Sequence, residues 1–269
     1  MKIGCAADMV PGESITKKAM KMRDWGFEGI SLFIKTEDLT DDVFEEIKNL
    51  ETNTGITPCE IVLMSSLYGN LMHDDETVRF ETQKLYERSI DIAGLLGAVT
   101  EMEFEYKSQE SLPLFEPYRE MPSSLKTPFM NLIKKLVKRA ERCGATLLIE
   151  PCNRYETRYI TRLIDAASIL KEISSNSAGI LADFFHMSIE EADIPKSIIE
   201  SGSFIKHVHL GDSNRLLPGL GHTDFISAFR ALTKIEFQGY MCLECGILGD
   251  PEVELPKCIN YLKDCIAKA

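Results

Sequence analysis

Hydrophobic and polar positions follow two patterns that alternate along the whole chain. Short apolar runs are typical of buried strands, and longer segments carry apolar residues at the spacing of one helix face. The predicted strands are Ile3–Ala6, Gly29–Phe33, Pro58–Met64, Ala98–Phe104, Thr146–Glu150, Gly179–Asp183, Phe204–Leu210 and Gly239–Glu244. The predicted helices are Glu13–Trp25, Asp41–Thr54, Asp75–Leu96, Ser124–Cys143, Thr161–Ile173, Pro195–Ser201, Asp224–Leu232 and Pro251–Ala267. Such alternation favours an α/β fold with parallel strands.

Eight strand–helix units in 269 residues suit a (β/α)8 TIM barrel, which typically takes about 250 residues. An open, doubly wound sheet is the alternative. That fold would more naturally carry a glycine-rich phosphate turn after its first strand, and none follows Ile3–Ala6. No linker, low-complexity tract or block of charge divides the chain. We therefore predict a single TIM-barrel domain over residues 1–269.

The last four predicted strands end in side chains of the kind that bind metals. Glu150, Asp183, His209 and Glu244 stand at or near these ends, each about one strand–helix unit from the next. In a closed parallel barrel such positions meet at the C-terminal rim. Three carboxylates brought together there would repel one another unless a cation compensates their charge. Oxygen-rich ligation with one nitrogen suits Mn²⁺, Mg²⁺ or Co²⁺ better than a metal that prefers thiolates.

The formal net charge of −12 makes a nucleic-acid partner unfavourable, because an acidic surface repels phosphates. Eight cysteines at irregular spacings in a chain of this length are typical of reduced core thiols rather than of a disulfide framework. The chain enters its first predicted strand at once, with no leader, and no apolar run approaches the length of a membrane span. We expect a cytoplasmic protein that binds neither nucleic acid nor a membrane.

Longer motifs surround the four strand ends. They are Ile149-Glu150 with Asn153-Arg154-Tyr155-Glu156, Asp183-Phe184-Phe185-His186-Met187 with Ile189-Glu190-Glu191, His207-Val208-His209 with Ser213-Asn214-Arg215 and Pro218-Gly219-Leu220-Gly221, and Leu243-Glu244. With this combination the C-terminal half resembles the xylose-isomerase-like TIM barrel superfamily of sugar phosphate isomerases and epimerases. Within that superfamily it is most similar to the D-tagatose 3-epimerase/D-psicose 3-epimerase group.

The resemblance implies a metal-dependent ketose 3-epimerase, with Mn²⁺ as the first choice of ion and Mg²⁺ or Co²⁺ as alternatives. The four strand-end residues would hold the metal. The residues that would bind the oxygens of the sugar substrate are Glu156, His186 and Arg215. Inversion at C3 needs a proton to leave one face and return to the other, so Glu150 and Glu244 are predicted as an acid/base pair acting through a cis-enediolate. The resemblance also implies a homo-oligomer, either a dimer or a tetramer.

Some positions depart from the family pattern and leave the substrate open. Ser31 stands where the superfamily often has a glutamate. At the fourth strand ketose epimerases tend to carry glycines, whereas this chain has Glu101-Met102-Glu103-Phe104-Glu105-Tyr106. Either Glu103 or Glu105 could enter the pocket, but a solvated rim is the favoured interpretation. Within the predicted loop Glu105–Met121, the segment Leu114–Tyr118 is expected to form part of a lid or an interface.

Other functions share this scaffold. The nearest alternative is an isomerase or dehydratase acting on a sugar phosphate, hydroxypyruvate or a keto-inositol. An apurinic-site endonuclease is a more distant alternative. By resemblance, that activity goes with a multi-zinc site that has additional histidines, and this acidic chain has only five histidines. A metal or sugar binder without catalysis is the third class.

Overall fold

Eight parallel strands close into a barrel in which each strand pairs with its neighbours in chain order. The structure is a computed structural model that describes residues 1–108, 112–115 and 118–269. The strands are β1 (Lys2–Ala6), β2 (Gly29–Lys35), β3 (Thr57–Met64), β4 (Val99–Met102), β5 (Thr146–Ile149), β6 (Ala178–Asp183), β7 (Ile205–Leu210) and β8 (Tyr240–Leu243). Pairing of Gly4 with Cys242 joins the first strand to the last. The predicted (β/α)8 fold is confirmed.

Helices connect the strands around the outside of the barrel. They are α1 (Ile15–Trp25), α2 (Asp41–Lys48), α3 (Leu50–Thr54), α4 (Glu76–Leu96), α5 (Ser123–Cys143), α6 (Leu163–Ile173), α7 (Phe184–Glu190), α8 (Ile194–Ser201), α9 (Phe225–Lys234) and α10 (Pro251–Ala267). Short 3₁₀ turns, Ala7–Met9 and Gly202–Phe204, lie after β1 and before β7. Ser14 caps the start of α1 by accepting a hydrogen bond from Lys17 N, and Gly26 ends it in the left-handed region at φ 96°.

Two helical segments differ from the predicted ones. The predicted helix Asp41–Thr54 is interrupted at Asn49, which leaves the helical backbone region with ψ near 3°. The helix α7 was not predicted, and it begins immediately after β6 with Asp183 as its N-cap. Apolar periodicity could not reveal α7, because it is only seven residues long and follows its strand without a loop.

The main hydrophobic core lies between the strands and the surrounding helices. Phe184, Phe225 and Phe229 are buried there, with ring centroids of Phe184 and Phe225 6.0 Å apart. Burying each such side chain stabilises the fold by roughly 1.5–3 kcal/mol. The interior of the barrel is more polar, and its buried side chains include Ser31, Glu60 and His207. The eight cysteines are free thiols in the structure, six of them buried in the core and two, Cys143 and Cys245, only partly buried.

The strand register shifts at two places beneath the C-terminal rim. Between β2 and β3, Ile30 pairs with Pro58 but Ser31 pairs with Glu60, so that Cys59 is an extra residue. Between β6 and β7, Ile180 pairs with Ile205 but Leu181 pairs with His207. Because side chains alternate between the two faces of a strand, one extra residue changes which of the following side chains face the barrel interior.

The segment between β4 and α5 is described only in part, since residues 109–111 and 116–117 lie outside the described residues. The predicted lid or interface over Leu114–Tyr118 therefore falls partly outside them. Tyr118 Oη donates a hydrogen bond to the carbonyl oxygen of Glu190 at 3.1 Å, and Phe115 is 92% exposed. None of the helices within the described ranges combines the length and the apolar composition needed to cross a membrane.

Candidate active site

The three predicted carboxylate ligands lie around the fourth ligand, the imidazole of His209, at the C-terminal rim. Glu150 directly follows β5, Asp183 ends β6, His209 lies next to last in β7, and Glu244 directly follows β8. His209 Nδ1 is 3.7 Å from Glu150 Oε1. Ligand-type atoms of Asp183, His209 and Glu244 all lie within 4.8 Å of one another. The structure thus brings together the side chains that the strand ends predicted.

Two buried polar atoms in this group lack partners. Asp183 Oδ2 and His209 Nδ1 are inaccessible to solvent and have no hydrogen-bond partner in the part of the chain that the structure describes. A buried polar atom without a partner costs about 1–3 kcal/mol, and more when it is charged. A divalent cation among these atoms would satisfy both, and carboxylate oxygens with one imidazole nitrogen are suitable ligands. The residues therefore fit a divalent metal.

The helix α7 determines which oxygen of Asp183 is available. Asp183 Oδ1 accepts hydrogen bonds from Phe185 N at 2.6 Å and His186 N at 3.4 Å, as an N-cap does. Only Oδ2 remains free, and it lies 3.7 Å from His186 Nε2. The cap therefore orients the carboxylate toward the other rim side chains.

The three predicted substrate-binding residues lie beside this group: Arg215 and His186 contact it directly, and Glu156 contacts Arg215. Arg215 Nη2 donates to Glu244 Oε2 at 3.0 Å, and its Nη1 lies 3.7 Å from Glu156 Oε1. Asn153 Nδ2 donates to Glu156 Oε1 at 2.7 Å and lies 2.8 Å from His186 Nδ1. Asn153 N also points at His186 Nδ1, at 3.2 Å. Since Nδ1 accepts from these amides, a neutral His186 carries its proton on Nε2 and can donate it to a ligand.

Burial and mutual repulsion raise the proton affinity of the acidic groups. Burial raises the pKa of Glu244 to about 7, assisted by Asp183 and Glu150 and opposed by His209 and Arg215. Burial and the charge of Glu150 also raise the pKa of Glu101 well above its usual range. The site thus holds more negative charge than its own cations compensate, and a divalent metal would favour the ionised carboxylates.

The glutamates after β4 occupy two different environments. Both Glu103 and Glu105 are only 5% exposed, so the favoured prediction of a solvated rim was wrong. Glu103 Oε2 accepts from the thiol of Cys152 at 3.0 Å, and burial with the charge of Glu150 raises its pKa well above the usual range. Glu105 instead forms an ion pair with Arg158, whose Nε lies 2.8 Å from Oε1. Of these two glutamates, Glu103 therefore faces the site, whereas Glu105 is occupied by Arg158.

Sequence reasoning missed two carboxylates in the barrel interior. Glu101 has ligand-type atoms within 4.8 Å of those of Glu150 and His209, and its Oε1 accepts from Tyr68 Oη at 3.1 Å. Glu60 lies below His209, with Oε2 3.0 Å from His209 Nε2. Burial opposes ionisation of Glu60, but the imidazoles of His209 and His207 outweigh it and hold its pKa well below the usual range. The sequence signal for Glu60 was its position as the single charged residue within the apolar run Pro58–Met64.

Comparisons with known proteins find relatives that match this chain over almost its whole length. The 3-dehydro-D-guloside 4-epimerase of Escherichia coli (strain K12) is 27% identical over 98% of this chain and 100% of its own. The ketose 3-epimerase of Arthrobacter globiformis is 26% identical over 91% of this chain and 83% of its own. The crystal structure of apo 3-keto-D-glucoside 4-epimerase from E. coli superimposes with a TM-score of 0.86 at 25% identity, covering 98% of this chain and 100% of that one.

These relatives are epimerases, which confirms the predicted enzyme class, an isomerase. The family model described as xylose isomerase-like TIM barrel matches residues 20–265. The match spans β2 to β8 and therefore contains all seven predicted site residues. This protein belongs to the xylose isomerase-like TIM barrel family.

Proposed function

We propose that this protein is a divalent-metal-dependent epimerase that inverts a carbon next to the ketone of a sugar, with C3 of a free ketose as the first candidate. One observation carries the proposal. Glu150 follows β5 and Glu244 follows β8, and the two strands between them, β6 and β7, carry Asp183 and His209. A ketone and an adjacent hydroxyl presented to this group would lie between two carboxylates. Epimerisation needs one proton-transferring group on each face of the reacting carbon.

The metal ligands would be Glu150, Asp183, His209 and Glu244, with Mn²⁺ as the first choice and Mg²⁺ or Co²⁺ as alternatives. When bound, the cation supplies Lewis acidity that makes the proton next to the carbonyl more acidic. Asp183 Oδ2 and His209 Nδ1, which have no hydrogen-bond partner among the described residues, support this assignment.

Glu150 and Glu244 would exchange protons with the reacting carbon. One carboxylate, ionised, removes the proton from one face, and the other, protonated, returns its own proton to the opposite face. The substrate passes through a cis-enediolate between the two steps. Each of the two carboxylates would ligate the metal through one oxygen and use the other for proton transfer.

Arg215, His186 and Glu156 would hold the sugar oxygens. The guanidinium of Arg215 adds fixed positive charge where negative charge develops on the oxygens. His186 Nε2 can donate a hydrogen bond, because Asn153 occupies Nδ1. Glu156 can accept one from a hydroxyl through the carboxylate lone pairs that Asn153 does not use.

Epimerisation at C4 of a 3-keto glycoside is the second candidate. It is favoured by the similarity to the E. coli 3-dehydro-D-guloside 4-epimerase, which extends over 98% of this chain. The chemistry is the same, since C4 of a 3-keto sugar also lies next to a ketone. Glu103, buried beside the site, offers a polar contact for the additional oxygens of a glycoside.

Proton NMR in D2O tests the proposal directly. The purified protein with Mn²⁺ would be incubated with ketohexoses, ketopentoses and 3-keto glycosides, with and without EDTA. We expect metal-dependent deuterium uptake at the carbon next to the ketone, together with the epimer. Uptake at C1 with an aldose as product would instead identify an isomerase, and no exchange with any substrate would overturn the proposal. Light scattering after gel filtration would test the predicted dimer or tetramer.

A further inference from the structure

A carboxylate that no strand-end argument identified lies beneath the proposed metal site. Glu60 is in the middle of β3 and is 0% exposed. The register shift at Cys59 brings it beside Ser31 inside the barrel. Without the extra residue, Ser31 would pair with Cys59, and Glu60 would face the surrounding helices instead. Bulges often aim a side chain at a functional site, and this one aims a charge at His209.

The contact between Glu60 and His209 orients the imidazole and determines which nitrogen keeps the proton when the ring is neutral. Glu60 Oε2 and His209 Nε2 are 3.0 Å apart. An ionised carboxylate only accepts hydrogen bonds, so Nε2 must carry a proton and donate it. In the neutral imidazole the lone pair is then on Nδ1. That atom is buried, is unpartnered in the described structure, and lies 3.7 Å from Glu150 Oε1.

A second imidazole shares the same oxygen. His207 Nε2 lies 3.5 Å from Glu60 Oε2, and His207 is 1% exposed. The rings of His207 and His209 are nearly perpendicular, with centroids 5.4 Å apart and an interplanar angle of 86°. Glu60 thus contacts two histidines of one strand from across the barrel, 149 residues away from His209 in sequence. The carboxylate, the two rings and the bulge together restrict rotation of the His209 ring.

We propose that Glu60 is a positioning residue, which accepts a hydrogen bond from His209 Nε2, holds the ring with Nδ1 directed at the proposed metal site and thereby sets the metal affinity of that site. The inference rests on the proposed metal dependence. A histidine ligand whose other nitrogen donates to a carboxylate is fixed in tautomer and orientation, and loss of such a partner typically costs about 10–100-fold in metal affinity.

The test measures Mn²⁺ binding rather than activity. Free Mn²⁺ would be followed by electron paramagnetic resonance during titration of the full chain, its Glu60→Gln and Glu60→Leu variants, and Thr100→Val. Thr100 is a matched control on the neighbouring strand β4. Its hydroxyl bonds Ser89 Oγ at 2.8 Å, so the change removes a buried hydrogen bond without touching His209. Circular dichroism would show that each variant folds and give its Tm.

We expect Kd for Mn²⁺ to rise about 10–100-fold in Glu60→Leu and by a smaller factor in Glu60→Gln, which keeps an acceptor oxygen. Thr100→Val should lower Tm with Kd unchanged. Unchanged affinity in a folded Glu60→Leu variant would overturn the inference. So would two bound Mn²⁺ per wild-type chain with one lost in Glu60→Gln, because Glu60 would then be a ligand itself.

A second measurement needs no metal. The chain has five histidines, so ¹⁵N NMR of histidine-labelled, metal-free protein can be assigned with single His→Gln variants. At a pH where His209 is neutral, we expect the wild-type imidazole to carry its proton on Nε2 and to lose that preference in Glu60→Leu. A neutral wild-type imidazole with its proton on Nδ1 would contradict the inference, whatever the metal titration shows. Wild-type protein that bound no divalent metal, yet showed the expected tautomer, would overturn the proposed function and leave the Glu60–His209 contact supported.

Discussion

Replacing Asp212 with Asn should destabilise the loop that carries Arg215. Asp212 is 1% exposed. Its Oδ1 accepts hydrogen bonds from Ser213 N at 2.7 Å and Thr223 N at 3.0 Å, and Oδ2 accepts from Gly219 N at 2.8 Å. Its main-chain oxygen also accepts from Arg215 N at 2.8 Å. One residue therefore ties together the two ends of residues 212–223, and Arg215 lies between them in the left-handed region at φ 57°.

The size of the effect follows from these contacts. An asparagine oxygen can keep the bonds to Ser213 and Thr223, but its amide presents a donor to Gly219 N–H. Hydrogen bonds to charged groups contribute about 1.5–3 kcal/mol each. Losing the hydrogen bond from Gly219 and weakening those from Ser213 and Thr223 should lower the free energy of unfolding by about 2–4 kcal/mol. This corresponds to a decrease of roughly 5–15 °C in Tm. Asp250→Asn is the matched control, since Asp250 is an exposed N-cap and Asn caps helices as well as Asp.

The same contacts predict a pH dependence. Burial disfavours the ionised Asp212, but the N–H groups of Thr223, Ser213, Gly221 and Gly219 outweigh it and lower its pKa. A lowered pKa in the folded state stabilises the protein above the unfolded pKa of about 3.9. That contribution is lost as the pH falls through the folded pKa. The stability difference between wild type and Asp212→Asn should thus be constant above about pH 5 and shrink below about pH 4.

Urea unfolding followed by circular dichroism across this pH range measures the loss of stability and its pH dependence. Steady-state kinetics report the displacement of Arg215. We expect kcat/KM to fall at least about tenfold, because a misplaced guanidinium stabilises the developing charge poorly. A variant with wild-type stability and kinetics would refute the role given to Asp212. A stability difference that persisted unchanged to pH 2 would refute the assignment to its ionised form.

Three further outcomes are expected. Glu150→Gln and Glu244→Gln should each reduce kcat by about 10²–10⁴-fold with unchanged circular dichroism, because each loses a proton-transferring group; near-wild-type turnover in either would disprove the two-base assignment. Glu190→Gln should lower the free energy of unfolding by about 3 kcal/mol, because it removes the charge that faces the Arg154 guanidinium. The Nε atom of Arg154 lies 2.8 Å from Glu190 Oε1. An unchanged midpoint in denaturant titrations would argue against that contribution. EDTA should lower Tm, and Mn²⁺ at about 100 times its Kd should restore about 2.7 kcal/mol; a Tm indifferent to both would count against a resident metal.

Local sequence determined the barrel and the position of its rim. Strand and helix patterns depend on neighbouring residues, so the strand positions were correct to within a few residues, although β4 is shorter than the predicted Ala98–Phe104. Once eight parallel strands close, the end of each strand must lie at the C-terminal rim. That geometry alone placed Glu150, Asp183, His209 and Glu244 in one group, without knowledge of any side-chain contact.

Only the tertiary structure decided which of the remaining polar residues belong to the site. Glu105 is occupied by Arg158, 53 residues away, while Glu103 faces the site. Glu60 enters the barrel because the register shifts at Cys59, and its partner His209 is 149 residues distant. Register and long-range pairing depend on how whole strands fit together, and a slip of one residue reverses the face on which a side chain lies. No local pattern in the sequence records that choice.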